Sequence, residues 1–255
     1  NKKFWTFIKH KKQESNGVAP LKQDGKLVTT PKDKASILNN QFQSVFNKNS
    51  PLSLKHLSTE ALPDNPGPKM ADFEITSEGV KKLLLNLKPH KAAGPDNIKP
   101  LLLKELAPEI CEVMILIFQS SYHQQQVPED WKMANVSPIF KKGEKYKASN
   151  YRPVSLTCIC SKNLEHIMCS QMMNFFEANN FLYERQHGFR SKLSCETQLL
   201  EFSSDIFHNL RDGKQTDVVI MDFSKAFDKV CHARLVYKLG RAGVNPKVCS
   251  WVHSF

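Results

Sequence analysis

The sequence has no run of about 20 apolar residues, so no helix that spans a membrane is expected. Its opening, NKKFWTFIKHKKQ, lacks the apolar stretch and small-residue cleavage site of a secretory signal. A soluble intracellular chain follows as the expectation, with cytoplasm and nucleus both open. Cysteine is odd in number, seven, and irregular in spacing. Cys158 and Cys160 flank one residue in an apolar stretch, where neither a zinc knuckle nor a redox pair is expected; reduced, partly buried thiols fit better. Acidic residues run short in two places. Between Lys132 and Arg152 Glu144 alone opposes six Lys and Arg, and from Lys229 to Phe255 there is no Asp or Glu. No internal repeat or low-complexity segment is present. The chain starts on Asn and stops on Phe255 inside an aromatic-containing run, and both ends are expected to be cuts.

What is there is size and positive charge. The 255 residues suit one large domain, or one and a half. Lys and Arg total 36 against 25 Asp and Glu, a formal charge of +11. That balance favours a polyanion or an anionic surface as partner, without choosing between nucleic acid and membrane.

The local patterns read as α+β, with helices packed on a small sheet. Residues 1 to about 70 are polar and Pro-rich, as in NSPLSLKH and LPDNPGPK, around one amphipathic helix carrying Ile37, Leu38, Phe42, Val45 and Phe46. Lys2, Lys3, Lys9, Lys11 and Lys12 form a terminal basic run that is either a solvated end or a phosphate contact. From Ile75, Thr76 can cap a helix with the stripe Val80, Leu83, Leu84 and Leu87, ending at Pro89. The punctuation Gly94, Pro95 and Asp96 marks a loop. A second helix carries Ile110, Val113, Met114, Ile117 and Phe118 as core and closes before Pro128. Ala134 to Phe140 reads as a strand, Lys141 to Glu144 as a turn and Tyr151 to Leu156 as the returning strand, making a hairpin with a cationic edge. Helices follow from about Ser161, with Leu164, Ile167, Met168, Met172 and Phe175 on one face, and from Cys195 to Leu210. Thr216 to Phe223 is predicted to be a strand, and helical spacing returns at Leu235, Val236 and Leu239.

That last strand carries the candidate chemistry. Alternation puts Val219, Met221 and Phe223 on one face and Ile220 with Asp222 on the other. A carboxylate closing an apolar strand is costly unless solvated, hydrogen-bonded or bound to a cation. Mg2+ takes hard oxygen ligands of this kind, so Asp222 is either a metal ligand or an ordinary structural acid. Asp228, six residues on, is expected to be structural, capping the next helix or binding local amides, with Lys225 and Lys229 offsetting its charge.

Five stretches in order, HKAAGPDNIKP, WKMANVSPIFKKG, NYRPVSLT, QHGFR and VIMDFSKAFDKV, make the chain resemble the reverse transcriptases of non-LTR retrotransposons. The likeness is to the LINE-like group of CR1 and jockey type and covers about Ile75 to Phe255. The resemblance implies a right-hand polymerase fold of which this chain holds the fingers and an incomplete palm. Residues 1–74 would be an N-terminal extension, 75–212 the fingers and early palm, and 213–255 the start of the palm. It also implies RNA-directed DNA polymerisation: a primer 3'-hydroxyl attacks the α-phosphate of a deoxynucleoside triphosphate on an RNA template, with Mg2+ or Mn2+ in the complete enzyme. Asp222 would be the first catalytic carboxylate and, with the Phe223 carbonyl, a metal ligand. Phe227 would exclude the ribose 2'-hydroxyl. Lys141 or Lys142 and Arg152 would meet the triphosphate, while Gln186, Gly188, Phe189 and Arg190 would line the template and nucleotide cleft.

The family's later acidic pair is absent, so these residues alone are expected to polymerise negligibly. Cys231 stands where relatives commonly have Pro, a change that bears on how the next helix begins. Two rival readings remain. One is a basic nucleic-acid-binding remnant of a retroelement, without turnover and with salt-sensitive binding. The other is a gene fragment whose incomplete palm does not fold stably.

Overall fold

The structure, a computed structural model, describes residues 17–46 and 67–255. The basic run from Lys2 to Lys12 therefore lies outside the described residues, as does most of both Pro-rich spans. Packing groups the described residues into two units, one of 17–46 with Ala134–Leu156 and one of 67–133 with Thr157–Phe255.

The first unit starts with a hairpin, β1 (Leu21–Gln23) and β2 (Lys26–Val28), paired antiparallel with Leu21 opposite Val28. Asp24 and Gly25 turn it with φ of 48° and 81°, the two positive values that a tight two-residue hairpin turn requires. Helix α1 (Pro31–Gln43) follows, because the Thr30 hydroxyl accepts the Asp33 N–H and Pro31 is already fixed at helical φ. The second hairpin joins β3 (Ala134–Phe140) to β4 (Tyr151–Thr157). Leu21, Leu38 and Tyr151 are the buried centre of this first unit, with Phe140 edge-on to the Tyr151 ring.

The second unit is helical among the described residues. It contains α2 (Ser77–Leu85), α3 (Pro100–Glu105), α4 (Ala107–Gln124), α5 (Glu129–Lys132), α6 (Ile159–Ala178), α7 (Cys195–Arg211), α8 (His232–Arg241) and α9 (Pro246–Ser254). Thr76 caps α2 by accepting the Gly79 N–H, as the sequence suggests. Val80 and Leu84 are buried, and α2 packs on α4, which also meets α9. Leu164 and Met168 of α6 complete this core from a third side. Within it the Trp251 indole donates to the Ser121 hydroxyl at 3.0 Å, which donates in turn to the Gln126 carbonyl at 2.6 Å, so each buried donor of that relay has an acceptor.

Three expectations need correction. The mixed α+β character stands, but the larger core packs helix on helix, and the described strands are confined to two small hairpins. On α4 the buried line runs through Cys111, Met114, Phe118 and Tyr122, whereas Val113 and Ile117 are exposed. Both lines have helical spacing, and the position of α2 selects between them. Finally, Thr216 to Phe223 is not a strand: residues 214–223 pair with no strand among those described, and Val219, Ile220, Met221 and Phe223 are all exposed. A strand exists only through a neighbour's hydrogen bonds, so apolar alternation without a partner leaves an extended, solvated segment.

Candidate active site

The basic hairpin is shaped by its own polar atoms. Gly143, at φ 86°, reverses the chain, and a Cβ there would lie 2.8 Å from the Asn150 amide. Asn150 Nδ2 donates to the Glu144 carbonyl at 2.9 Å and the Tyr151 hydroxyl to the Lys145 carbonyl at 2.7 Å, closing the loop from its return strand. The Lys141 N–H reaches the Asn150 carbonyl at 2.9 Å, two residues before Arg152, so Lys141, Lys142 and Arg152 stand on one small hairpin. Glu144, the acid of this stretch, is held below the usual carboxylate range by Lys147, its ion-pair partner at 2.5 Å. Lys141, Lys142 and Arg152 are exposed, so the edge presents positive charge suited to phosphate.

Gly94, Pro95 and Asp96 lie in the second unit, packed on the entrance to α6. A Cβ at Gly94 would sit 2.6 Å from the Cys158 nitrogen and 2.7 Å from the Thr157 carbonyl oxygen, so only glycine permits this approach. Asp96 accepts the Ile98 N–H at 3.2 Å and so folds the loop locally. All seven cysteines are free thiols, and a hydrogen bond with Cys158, reinforced by burial, pushes the Cys160 thiol up.

The loop over residues 179–194, between α6 and α7, carries Gln186, Gly188, Phe189 and Arg190. Gln186 donates its side-chain amide to the Gly188 carbonyl at 3.2 Å. Arg190 forks onto Glu177 of α6, at 2.9 Å from Nε and 2.6 Å from Nη2, and also reaches the Tyr183 carbonyl at 3.1 Å. The pair holds the Glu177 carboxyl below its ordinary range. Phe189 has a left-handed φ of 62°, rare for an aromatic residue, and is 85% exposed. Its ring stands edge-on to Phe227, itself 77% exposed, with centroids 5.9 Å apart. The structure thus brings together one aromatic residue from QHGFR and one from VIMDFSKAFDKV.

Asp222 and Phe223 lie at the end of the unpaired segment, both exposed, and residues 224–229 turn directly after them. The turn is closed by Lys229 N–H to the Lys225 carbonyl at 3.2 Å and Val230 N–H to the Phe227 carbonyl at 3.3 Å. Asp228 sits half-buried in that turn. It does not cap α8: the N-cap is Cys231, extended at φ −78° and ψ 110°, with no side-chain cap bond. Helix α8 begins at His232, four residues beyond Asp228, too far for capping. Asp222 offers one hard oxygen ligand for a divalent ion. Among the described residues no three His, Cys, Asp or Glu gather as a metal site, so Asp222 fits as one ligand of an ion rather than as a complete set.

Sequence reasoning missed His187. It is 8% exposed, with Nδ1 2.7 Å from the Thr197 hydroxyl and Nε2 2.7 Å from Glu201 Oε2 on α7. Arg185 beside it pairs with Asp205 and Glu201 of the same helix. The signal was present, because Thr197, Glu201 and Asp205 recur every fourth residue and define a polar face able to receive a loop.

Residues 139–255 match the family model described as reverse transcriptase (RNA-dependent DNA polymerase). That stretch holds the second half of the basic hairpin, the QHGFR loop and the Asp222 segment, and it is reverse-transcriptase-like. The chain is 26% identical over 245 residues to the probable RNA-directed DNA polymerase from transposon BS of Drosophila melanogaster, covering 92% of this chain and 26% of that protein. It is 25% identical over 267 residues to the RNA-directed DNA polymerase from mobile element jockey of Drosophila funebris, covering 100% and 28% respectively. A similar protein from transposon X-element of Drosophila melanogaster is 28% identical over 161 residues, 63% of this chain and 18% of that protein. These likenesses relate the chain by distant homology to the reverse transcriptases of non-LTR retrotransposons. The chain spans about a quarter of the length of the transposon BS and jockey proteins. No helix among the described residues is long and apolar enough to cross a membrane.

Proposed function

We propose that this chain is the fingers and opening palm of an RNA-directed DNA polymerase of the non-LTR retrotransposon type, within a right-hand fold. The match over residues 139–255 carries the reading, because it takes in the basic hairpin's return strand, the QHGFR loop and Asp222 in one continuous stretch. In this reading Lys141, Lys142 and Arg152 neutralise and orient the triphosphate of a deoxynucleotide. Phe227 presents a flat ring against the sugar, where an added 2'-hydroxyl would collide. Gln186, Gly188, Phe189 and Arg190 line the template side. Asp222 and the Phe223 carbonyl would hold a divalent ion, Mg2+ or Mn2+, whose chemistry would be to favour attack by a primer 3'-hydroxyl on the α-phosphate. RNA template and DNA primer are the partners. With no Asp or Glu from Lys229 to Phe255, this chain alone is expected to extend a primer negligibly.

The test replaces the matching segment of the jockey polymerase with residues 139–255. Mg2+-dependent extension of a primed RNA should survive in that chimera. Asp222→Ala should lower it about 10³-fold or more, the scale of several kcal/mol of metal-assisted stabilisation, while primer-template binding persists. Equal extension by both chimeras would remove Asp222 from catalysis. The cationic hairpin edge also supports a second reading, a basic nucleic-acid-binding remnant. That reading gains if the chain binds primer-template in a salt-dependent way and the chimera fails to extend.

A further inference from the structure

We infer that Arg190 is a positioning residue: its guanidinium is engaged inside the protein, on Glu177 and on the turn that begins at Tyr183, and it acts on the cleft by holding Phe189 against Phe227. A guanidinium is always charged and only donates, so the direction of each of its contacts is fixed. Nε and Nη2 reach the two Glu177 oxygens at 2.9 and 2.6 Å, a bidentate fork. Nη1 is turned onto the Tyr183 and Glu184 carbonyls at 3.1 and 3.4 Å. The Tyr183 carbonyl also accepts the Gln186 N–H at 2.9 Å, so Arg190 grips a turn that is closed by its own backbone. An arginine that reads phosphate bidentately presents two adjacent N–H groups to it. Here a carboxylate fills the Nε–Nη2 edge and the backbone holds Nη1, so neither edge is open to a second anion. The side chain is 16% exposed, and Glu177 offsets its charge.

Glu177 stands in the last turn of α6, where the negative end of the helix disfavours an acid and α6 has no basic residue of its own. Arg190 supplies that cation from the loop, and the bridge ties the loop to α6. On the other side His187 meets Thr197 and Glu201 of α7. Phe189 lies between these anchors with its left-handed φ of 62°. Such a backbone persists where its surroundings fix it. The Phe189 ring is 85% exposed, so burial does not fix it; the anchors at 187 and 190 do. Breaking the Arg190 fork therefore releases the residue that meets Phe227. In the template-side lining proposed above, Arg190 contributes through Phe189, with its own charge turned inward. That the two rings face template and nucleotide rests on that reading; the bridge to α6 does not.

Two measurements on the whole chain test this: NMR of the backbone amides of 183–190 with the Phe189–Phe227 ring cross-peaks, and a salt series of binding to a DNA primer on an RNA template. Arg190→Gln and Glu177→Gln should each weaken the cross-peaks and shift the same loop amides, with the amides of α2 and α4 unmoved. The double variant should lose no more than either single one, because both break the same contact. Glu177→Gln also removes an acid from the negative end of α6, which favours the helix itself, so its loss of cross-peaks reports the bridge. The salt slope should be unchanged in Arg190→Gln, whereas an arginine neutralising a duplex phosphate would take about 0.9 from it. A slope reduced by that amount with amides and cross-peaks unmoved would overturn the inference. So would cross-peaks that stay intact in Glu177→Gln, or losses that add in the double variant. The NMR measurement needs no nucleic acid, so it decides the role of Arg190 even if the chimera fails to extend a primer and the polymerase reading falls.

Discussion

Asp72 joins three parts of the helical unit: its own segment before α2, the Tyr122 hydroxyl of α4 and the Lys247 ammonium of α9. Lys247, then Tyr122, hold its carboxyl down to about 2, while burial and Asp72 push the Tyr122 hydroxyl up. A carboxyl lowered from 3.8 contributes stability that is complete above the unfolded value and disappears as pH falls through the folded one. The melting temperature of Asp72→Asn should accordingly lie below that of the unaltered chain at neutral pH, and the two should converge as pH drops from about 4 to about 2. Thermal unfolding across that range checks it; a constant gap at every pH would show that the loss comes from something other than the ionised carboxylate. Little of this could be read from the sequence. Asp72, Tyr122 and Lys247 are far apart along the chain, and no local pattern links them. Asp222 differs, because an acid ending an apolar run within VIMDFSKAFDKV is conspicuous by itself.

At the scale of elements, α7 depends on its ends and its polar face. None of its side chains is buried, so packing contributes little and capping counts for more. Ser194 and Thr197 form a reciprocal capping box, with Ser194 Oγ accepting the Thr197 N–H at 3.3 Å and Thr197 Oγ1 the Ser194 N–H at 2.9 Å. Ser194→Ala should cost about 1 kcal/mol. Amide hydrogen exchange should show it as faster exchange in the first turn of α7, with α2 and α4 unchanged. Helices such as α2 and α7 were legible because their hydrogen bonds and caps are local. The Asp24–Gly25 hairpin was equally legible in principle, since Asp-Gly is a strong turn signal, but the polar and Pro-rich character of its surroundings masked it. The segment before Asp222 was misread for the opposite reason: its alternating pattern was clear, yet pairing lies outside what a single segment can specify.

For the whole molecule, the formal charge of +11 acts at a distance. On the function proposed above, binding to primer-template should weaken as salt rises, log K falling linearly with log salt. Replacing Lys141 and Lys142 with Ala should flatten that slope by about 0.9 for each duplex phosphate that the side chains no longer neutralise, with similar weakening across template sequences. A filter-binding salt series measures this. An unchanged slope would take the hairpin edge out of the nucleic-acid surface.

Taken alone, the order of residues was enough to establish the cationic hairpin, the helix capped by Thr76, the free thiols and the run of motifs that includes Asp222. Each of these depends on neighbours within a few positions or on composition. Tertiary structure decided which of two apolar lines on α4 is buried, left the Asp222 segment without a partner strand among the described residues, and joined His187 to Thr197 and Glu201. It also brought Phe189 against Phe227. Burial, strand pairing and packing across loops are properties of two segments at once, and distance along the chain does not reveal which two will meet.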